Sequence, residues 1–171
     1  MDEDEGQATF RIFRAADAPS LAEAGCMSLE PFTEVQLAGM EKLRDAGVLE
    51  ASELKVLVNI PGFSLTHAWF KPGHPLPLHS HDADCLYYII AGSVRLGTED
   101  LGARDSFFIP ANVPYTYKTG PEGVELLEIR QANSFNFVNL AKSEAYWARA
   151  LEQTLAHRES WKTARPPRLN A

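Results

Sequence analysis

Cysteine and long apolar runs are both scarce in this sequence of 171 residues. Its two cysteines, Cys26 and Cys85, are too few and too far apart for a disulfide framework, which favours a reducing compartment. No stretch of about 18 consecutive apolar residues predicts a membrane span. The acidic start lacks the basic and then apolar order of a secretory signal. We therefore expect a cytoplasmic protein with no membrane partner.

Positive charge is also scarce. Sixteen Lys and Arg stand against twenty-three Asp and Glu, which gives a net charge of −7. Such a field repels phosphate backbones, and no basic stripe offsets it, so we expect no nucleic-acid partner. Residues 1–6 carry four of the carboxylates and nothing apolar, and this composition predicts a disordered acidic tail.

Apolar residues recur at roughly helical spacing in two segments. In residues 31–46 they are Val35, Leu37, Met40 and Leu43, and in residues 140–158 they are Tyr146, Trp147, Ala150, Leu151 and Leu155. The first segment predicts a modest helix with Gly47 as its C-cap, and the second predicts a C-terminal helix with one apolar face.

The middle of the chain has a different composition. It consists of short segments rich in β-branched and aromatic residues, each followed by Gly, Pro or Asp. These segments are Leu54–Asn59, Phe63–Lys71, Cys85–Ala91, Ser93–Leu96, Phe107–Ile109, Tyr115–Thr119 and Val124–Gln131. Their spacing predicts an all-β sandwich or barrel of antiparallel hairpins. We thus expect a tail over 1–6, a helical extension over 7–53, a barrel over 54–131, and a C-terminal helix and tail over 132–171.

The most informative motif is the His-X-His pair His79 and His81. Residues two apart on a strand point to the same side with Cα atoms about 6.6 Å apart, so two imidazoles can converge on one ion. Five residues separate Gly73 from His79, and six separate Cys85 from Gly92. This framed pair resembles the first motif of the cupin family, in which a glutamate stands at the position of Cys85.

The second cupin motif is recognisable but altered. Its matching positions are Asp105, Ile109, Pro110 and Pro114. Arg104 and Asn112 replace two family glycines, and Tyr115 stands where the family has its third metal-binding histidine. Asn tolerates a left-handed backbone better than most residues, so the turn at Asn112 can persist. The resemblance covers about residues 60–131 and implies a small cupin, a jelly-roll barrel or double-stranded β-helix that commonly forms homodimers.

The resemblance also implies a metal site. We expect His79, His81 and Cys85 to hold one divalent transition metal (Zn, Fe, Ni, Mn or Cu), because imidazole with thiolate suits such ions better than magnesium or calcium. Alternatively, Cys85 and Tyr115 line the pocket and the metal keeps open positions. A further alternative is a third ligand from His67 or His74.

Three residues are candidates for moving protons: Tyr87, Tyr115 and Glu128. Strand parity places Cys85, Tyr87 and Ile89 on one side of their strand, but leaves open whether Leu127 or Glu128 points inward. If Tyr115 and Tyr117 also face inward, phenol groups form an aromatic wall suited to a small organic ligand.

Three functions follow from these features. The first is an enzyme that acts on a small organic substrate, aromatic or carbonyl-containing, by Lewis-acid lyase or isomerase chemistry. The alternatives are a metal-dependent dioxygenase and a non-catalytic cupin that binds a small molecule.

Overall fold

The computed structural model describes residues 10–170, so the predicted disordered tail over residues 1–6 lies outside the described residues. The strands within that range are β1 (Met27–Leu29), β2 (Ser52–Ile60), β3 (Phe63–Phe70), β4 (His79–Ser80), β5 (Cys85–Leu96), β6 (Glu99–Leu101), β7 (Ser106–Ile109), β8 (Lys118–Arg130) and β9 (Phe135–Asn139). The α-helices are α1 (Leu21–Ala24), α2 (Glu34–Asp45) and α3 (Glu144–Trp161).

The strands form two sheets. The larger sheet has the order β2-β3-β8-β5-β6, with β7 also paired to β5, and all its pairs are antiparallel. The smaller sheet has the order β1-β9-β4, in which β1 runs parallel to β9 and β4 antiparallel to it. A bridge between His79 and Tyr115 joins β4 to the segment that leads into β8.

Alternation along the strands places one set of side chains inside. On β5, Cys85, Tyr87 and Ile89 are all buried, as parity predicts. The main buried cluster comprises Ala68, Phe70, Cys85, Tyr87, Ile89, Val94, Phe107, Tyr115, Tyr117, Val124 and Leu126. Tyr87, Tyr115 and Tyr117 therefore all face the interior, as the expected aromatic wall requires.

Two of the predicted strand ends are wrong. Gly92 does not turn the chain: β5 continues through it to Leu96 with a shift in its register against β8. Gly92 has a φ of +78°, and a Cβ there would overlap the carbonyl oxygen of Gly123, so only glycine fits this crossing. Pro121 does not end a strand either, because β8 runs unbroken from Lys118 to Arg130.

The smaller sheet takes strands from outside residues 54–131, since β1 lies in the predicted helical extension and β9 follows the predicted barrel. Both were missed because short segments with polar residues, such as Phe135–Asn139, carry little strand signal by themselves. The domain bounds given above stay a prediction.

Both expected helices are present. A capping box between Thr33 and Gln36 starts α2, and Gly47 follows its end with a φ of +98°. Ser143 caps α3, which packs against α2 in a second apolar cluster that includes Leu43 and Trp147. Among residues 10–170 no helix combines the length and apolarity needed to cross a membrane.

Candidate functional site

His79 and His81 lie inside the fold, only 4% and 8% exposed, where β4 meets β9. Their rings are 5.0 Å apart between centroids, with an angle of 74° between the ring planes. His79 Nδ1 lies 2.8 Å from the carbonyl oxygen of Pro77, and His81 Nδ1 lies 2.5 Å from that of Asn136. When each Nδ1–H donates to its carbonyl, each Nε2 keeps its lone pair, which is the usual arrangement of metal-binding histidines.

The electrostatics of the pair favour the neutral form. Burial lowers the pKa of His79 to about 4 and also lowers that of His81. Neutral imidazole is the form that binds metal ions. Two imidazoles bound to one ion through bonds of about 2.0–2.1 Å have ring centroids roughly 5 Å apart, so the observed spacing suits a shared ion.

The ligand set His79, His81 and Cys85 expected from the sequence stays a prediction. No three His, Cys, Asp or Glu side chains in the described part of the chain form a group that could hold a metal ion. Burial raises the pKa of the Cys85 thiol to about 12, and its Sγ donates weakly to the Leu86 carbonyl oxygen at 3.8 Å. Cys85 lies in the main buried cluster together with Tyr87 and Tyr115.

The two alternative third ligands, His67 and His74, contact other residues. His67 lies on the outward face of β3, where its Nε2 is 3.1 Å from Glu125 Oε1. It faces outward because the inward set on β3 is the other parity, which includes Thr66 and Ala68. His74 packs its ring 4.8 Å from that of Phe70, and burial lowers its pKa to about 4.

A pair of tyrosines borders the histidines. The Tyr115 ring lies 4.4 Å from the His79 ring, and its hydroxyl is hydrogen-bonded to the hydroxyl of Tyr87. Tyr87 stacks on Phe107 with 4.5 Å between centroids. Burial raises the pKa of both phenols, so both keep their protons at neutral pH. Tyr115 thus presents a protonated phenol where the cupin family has a histidine.

Glu128 completes the site. It is 8% exposed and lies in register with Tyr87 on the inward face, which resolves the ambiguity between Leu127 and Glu128. Its Oε2 accepts a hydrogen bond of 2.8 Å from Nη1 of Arg130, whose guanidinium lies over the Phe135 ring. Sequence reasoning missed Arg130, although its position two residues after Glu128 gives it the same parity.

Three buried polar atoms near this ion pair have no hydrogen-bond partner within residues 10–170: Ser64 Oγ, Thr66 Oγ1 and Arg130 Nε. Ser64 lies in register with Arg130, and Thr66 with Glu128. A buried donor without a partner costs about 1–3 kcal/mol. The inward face of β3 and β8 therefore offers hydrogen-bonding capacity to a polar occupant.

Comparison with known proteins identifies the fold. No protein-family model and no curated protein matches the sequence. Among solved structures, the polyketide cyclase RemF from Streptomyces resistomycificus matches 86% of this chain and 97% of its own, at 18% identity and a TM-score of 0.55. A mutant of Bacillus subtilis oxalate decarboxylase OxdC matches 81% of this chain at 17% identity and a TM-score of 0.53. Both are cupin-fold proteins. The chain has the cupin fold. It spans about a third (34%) of the length of the oxalate decarboxylase.

In two turns, the residues that replace the motif glycines have a left-handed backbone. Arg104 has a φ of +75° and Asn112 a φ of +63°, and no other non-glycine residue in the described range has a positive φ. The turn at Asn112 thus persists as expected, since Asn adopts the left-handed conformation at small steric cost. Arg104 has the same conformation at a larger steric cost.

Replacing Arg104 with glycine is expected to stabilise the protein by about 0.5–1 kcal/mol, because relief of the left-handed strain exceeds the added entropy of the unfolded chain. Urea unfolding at equilibrium measures this. Arg104→Ala, which removes the charge and keeps the strain, is the matched control. Equal stability of the glycine and alanine variants would contradict the explanation.

Proposed function

We propose that this cupin is an enzyme that converts a small organic substrate in its interior, with His79 and His81 as the residues that hold a divalent transition metal. One observation carries the proposal: the two buried imidazole rings lie 5.0 Å apart, and each has its Nδ1 within hydrogen-bond distance of a backbone carbonyl oxygen, which leaves Nε2 for an ion. A bound metal would supply Lewis-acid chemistry at a carbonyl or enolate oxygen. With two protein ligands, its other positions are left to water and substrate.

The residues around the histidines support proton transfer. Tyr115 keeps its proton and can donate it, or a hydrogen bond, to an oxygen of a substrate beside His79. Tyr87 bonds the same hydroxyl and fixes its orientation. Glu128 lies in register with Tyr87 and offers a carboxylate that can accept a proton. Lyase and isomerase reactions next to a carbonyl need one donor and one acceptor, and the interior holds both.

The names of the solved neighbours are compatible with an enzyme. RemF is described as a polyketide cyclase and OxdC as an oxalate decarboxylase, and both names denote reactions of small organic molecules. The aromatic wall of Tyr87, Tyr115 and Tyr117 favours a substrate with an aromatic or other flat portion. Arg130, with a free Nε, favours a substrate that also carries an acceptor oxygen.

Metal titration tests the proposal. Protein treated with chelator and titrated with Co²⁺ and Zn²⁺ is expected to bind about one ion per chain, followed by the visible spectrum of Co²⁺ and by calorimetry. His79→Ala and His81→Ala are each expected to weaken binding at least ~100-fold, since each removes half of the protein ligands. His67→Ala, on the outward face, should bind as the wild type does. Failure of the wild type to bind, or unchanged binding by His79→Ala, would refute the metal site.

A binding cupin without catalysis is the second candidate, favoured by the lack of a three-ligand group in residues 10–170. The two candidates differ in turnover. Small carbonyl and aromatic acids that raise the melting temperature of the metal-loaded protein, but stay chemically unchanged on long incubation, would favour the binding cupin. Conversion that Tyr115→Phe slows would favour the enzyme.

A further inference from the structure

A cavity lies between α3 and the ends of β5 and β8, outside the histidine site. Its volume is about 630 Å³, within the range of small-molecule pockets. Its walls include residues 74–76, residues 116–118 and the face of α3 that carries Tyr146, Arg149 and Gln153. His79, His81, Tyr115 and Glu128 do not contribute to its lining. We call it the α3 cleft.

The α3 cleft is cationic in a protein whose net charge is −7. Three cations line it, Arg95, Lys118 and Arg149, and no Asp or Glu is among its lining residues. Arg95 is paired with Asp100, at 2.5 Å between Nη1 and Oδ2. Lys118 and Arg149 form no ion pair with any residue between 10 and 170.

The register of the sheet places two of these cations next to each other. Arg95 and Lys118 lie directly opposite each other on β5 and β8. Like charges in directly opposed cross-strand positions are destabilising. Arg149 approaches the same cavity from α3. An anion in the cleft would relieve the repulsion among these cations, of which only Arg95 has an ion-pair partner within residues 10–170, the exposed Asp100.

Part of the wall of the α3 cleft is apolar and is fixed by hydrogen bonds. Leu76 and Ala150 contribute apolar surface to its lining. The hydroxyl of Tyr146 donates to the Pro75 carbonyl oxygen at 3.1 Å, and that of Thr116 donates to the Leu76 carbonyl oxygen at 2.8 Å. These bonds fix residues 75 and 76 against both the helix and the strand segment, so the cavity is part of the folded framework.

We propose that the α3 cleft binds a small organic anion, whose carboxylate or phosphate lies between Lys118 and Arg149 and whose apolar portion contacts Leu76 and Ala150. The cleft shares Tyr117 with the aromatic wall but has none of His79, His81, Tyr115 or Glu128 in its lining, and the proposal does not depend on the proposed function. Charge, cross-strand repulsion and a preformed apolar wall all favour the same class of ligand.

The test uses three aromatic probes of similar size and different charge, phenyl phosphate, benzoate and benzyl alcohol, and inorganic phosphate as a probe without an apolar portion. Calorimetry and backbone amide NMR shifts follow their binding to the full chain at low and at high salt. Phenyl phosphate or benzoate should bind, with shifts centred on residues 116–118 and 146–153, and should weaken as salt rises. The tighter of the two identifies phosphate or carboxylate as the preferred group.

Exposed side chains provide the variants, so folding is not at risk. The double variant Lys118→Gln/Arg149→Gln is expected to weaken anion binding about 10–100-fold. Arg158→Gln/Lys162→Gln, which removes the same charge from the end of α3 outside the cleft, should leave binding unchanged. Equal weakening by both pairs, benzyl alcohol that binds as tightly as benzoate, or no binding of either aromatic anion would overturn the proposal. Inorganic phosphate that binds as tightly as phenyl phosphate would overturn its apolar half.

Discussion

Replacing Tyr115 with histidine is expected to tighten the binding of Zn²⁺ by about 10²–10³-fold. Four-ligand structural zinc sites bind with about 10–16 kcal/mol, or about 2.5–4 kcal/mol for each ligand, and that energy corresponds to this factor. The Tyr115 ring already lies 4.4 Å from that of His79 and 6.2 Å from that of His81. An imidazole at this position would therefore join the other two in one group.

The same substitution has a cost in stability that can be separated from the gain. Tyr115→His leaves the buried Tyr87 hydroxyl without its partner, which costs about 1–3 kcal/mol in the free energy of unfolding of the metal-free protein. Tyr87→Phe/Tyr115→His removes the orphaned hydroxyl and should recover most of that loss while it keeps the affinity. Tyr115→Phe is the control without a new ligand. If Tyr115→His binds Zn²⁺ no better than Tyr115→Phe, the His79–His81 pair does not point its Nε2 atoms at a common ion near residue 115.

Local periodicity was sufficient for the parts of the site that lie on one strand. His79 and His81 share a side because strands repeat every two residues, and the same parity placed Cys85 and Tyr87 inside. The motif spacing also located the turn at Asn112, where the structure shows the left-handed backbone. These features depend on neighbours in sequence, so the sequence alone contains them.

The same reasoning could not predict how the strands pair with one another. Whether Leu127 or Glu128 faces inward depends on the register of β8 against β5, in which Glu128 lies opposite Tyr87. That register includes bulges near Gly92, where β5 continues instead of turning. A shift of one residue would have sent Glu128 outward. Arg130 follows Glu128 inward for the same reason, and the partnership of the two is visible only once β8 is placed.

The α3 cleft was also beyond prediction from the sequence, because its cations come from distant segments of the chain. Lys118 and Arg95 are more than twenty residues apart, and Arg149 belongs to a helix that follows the barrel. Nothing in the charge pattern along the chain, which is acidic overall, indicates that these three cations surround one cavity. The packing of α3 against the sheet brings them together.

The Glu128–Arg130 pair sets the largest stability effect that we expect in the barrel. Arg130→Met, which keeps much of the volume, is expected to lower the free energy of unfolding by about 3–5 kcal/mol, because Glu128 then stays buried without its cation. Arg130 is 1% exposed and Glu128 8%, so solvent can compensate little of the loss. Urea unfolding with circular dichroism at pH 7 measures the change.

A double-mutant cycle distinguishes this cause from lost packing against Phe135, over which the guanidinium lies. If the uncompensated carboxylate is responsible, Glu128→Leu/Arg130→Met should be more stable than Arg130→Met alone. The reason is that Glu128→Leu removes the buried charge that Arg130→Met leaves without a cation. If lost contact with Phe135 is responsible, the two changes should add, and the double variant should be the least stable of the series. Additive losses would therefore show that the barrel interior does not depend on charge compensation, and would remove the reason for treating Glu128 as a carboxylate held in place by Arg130.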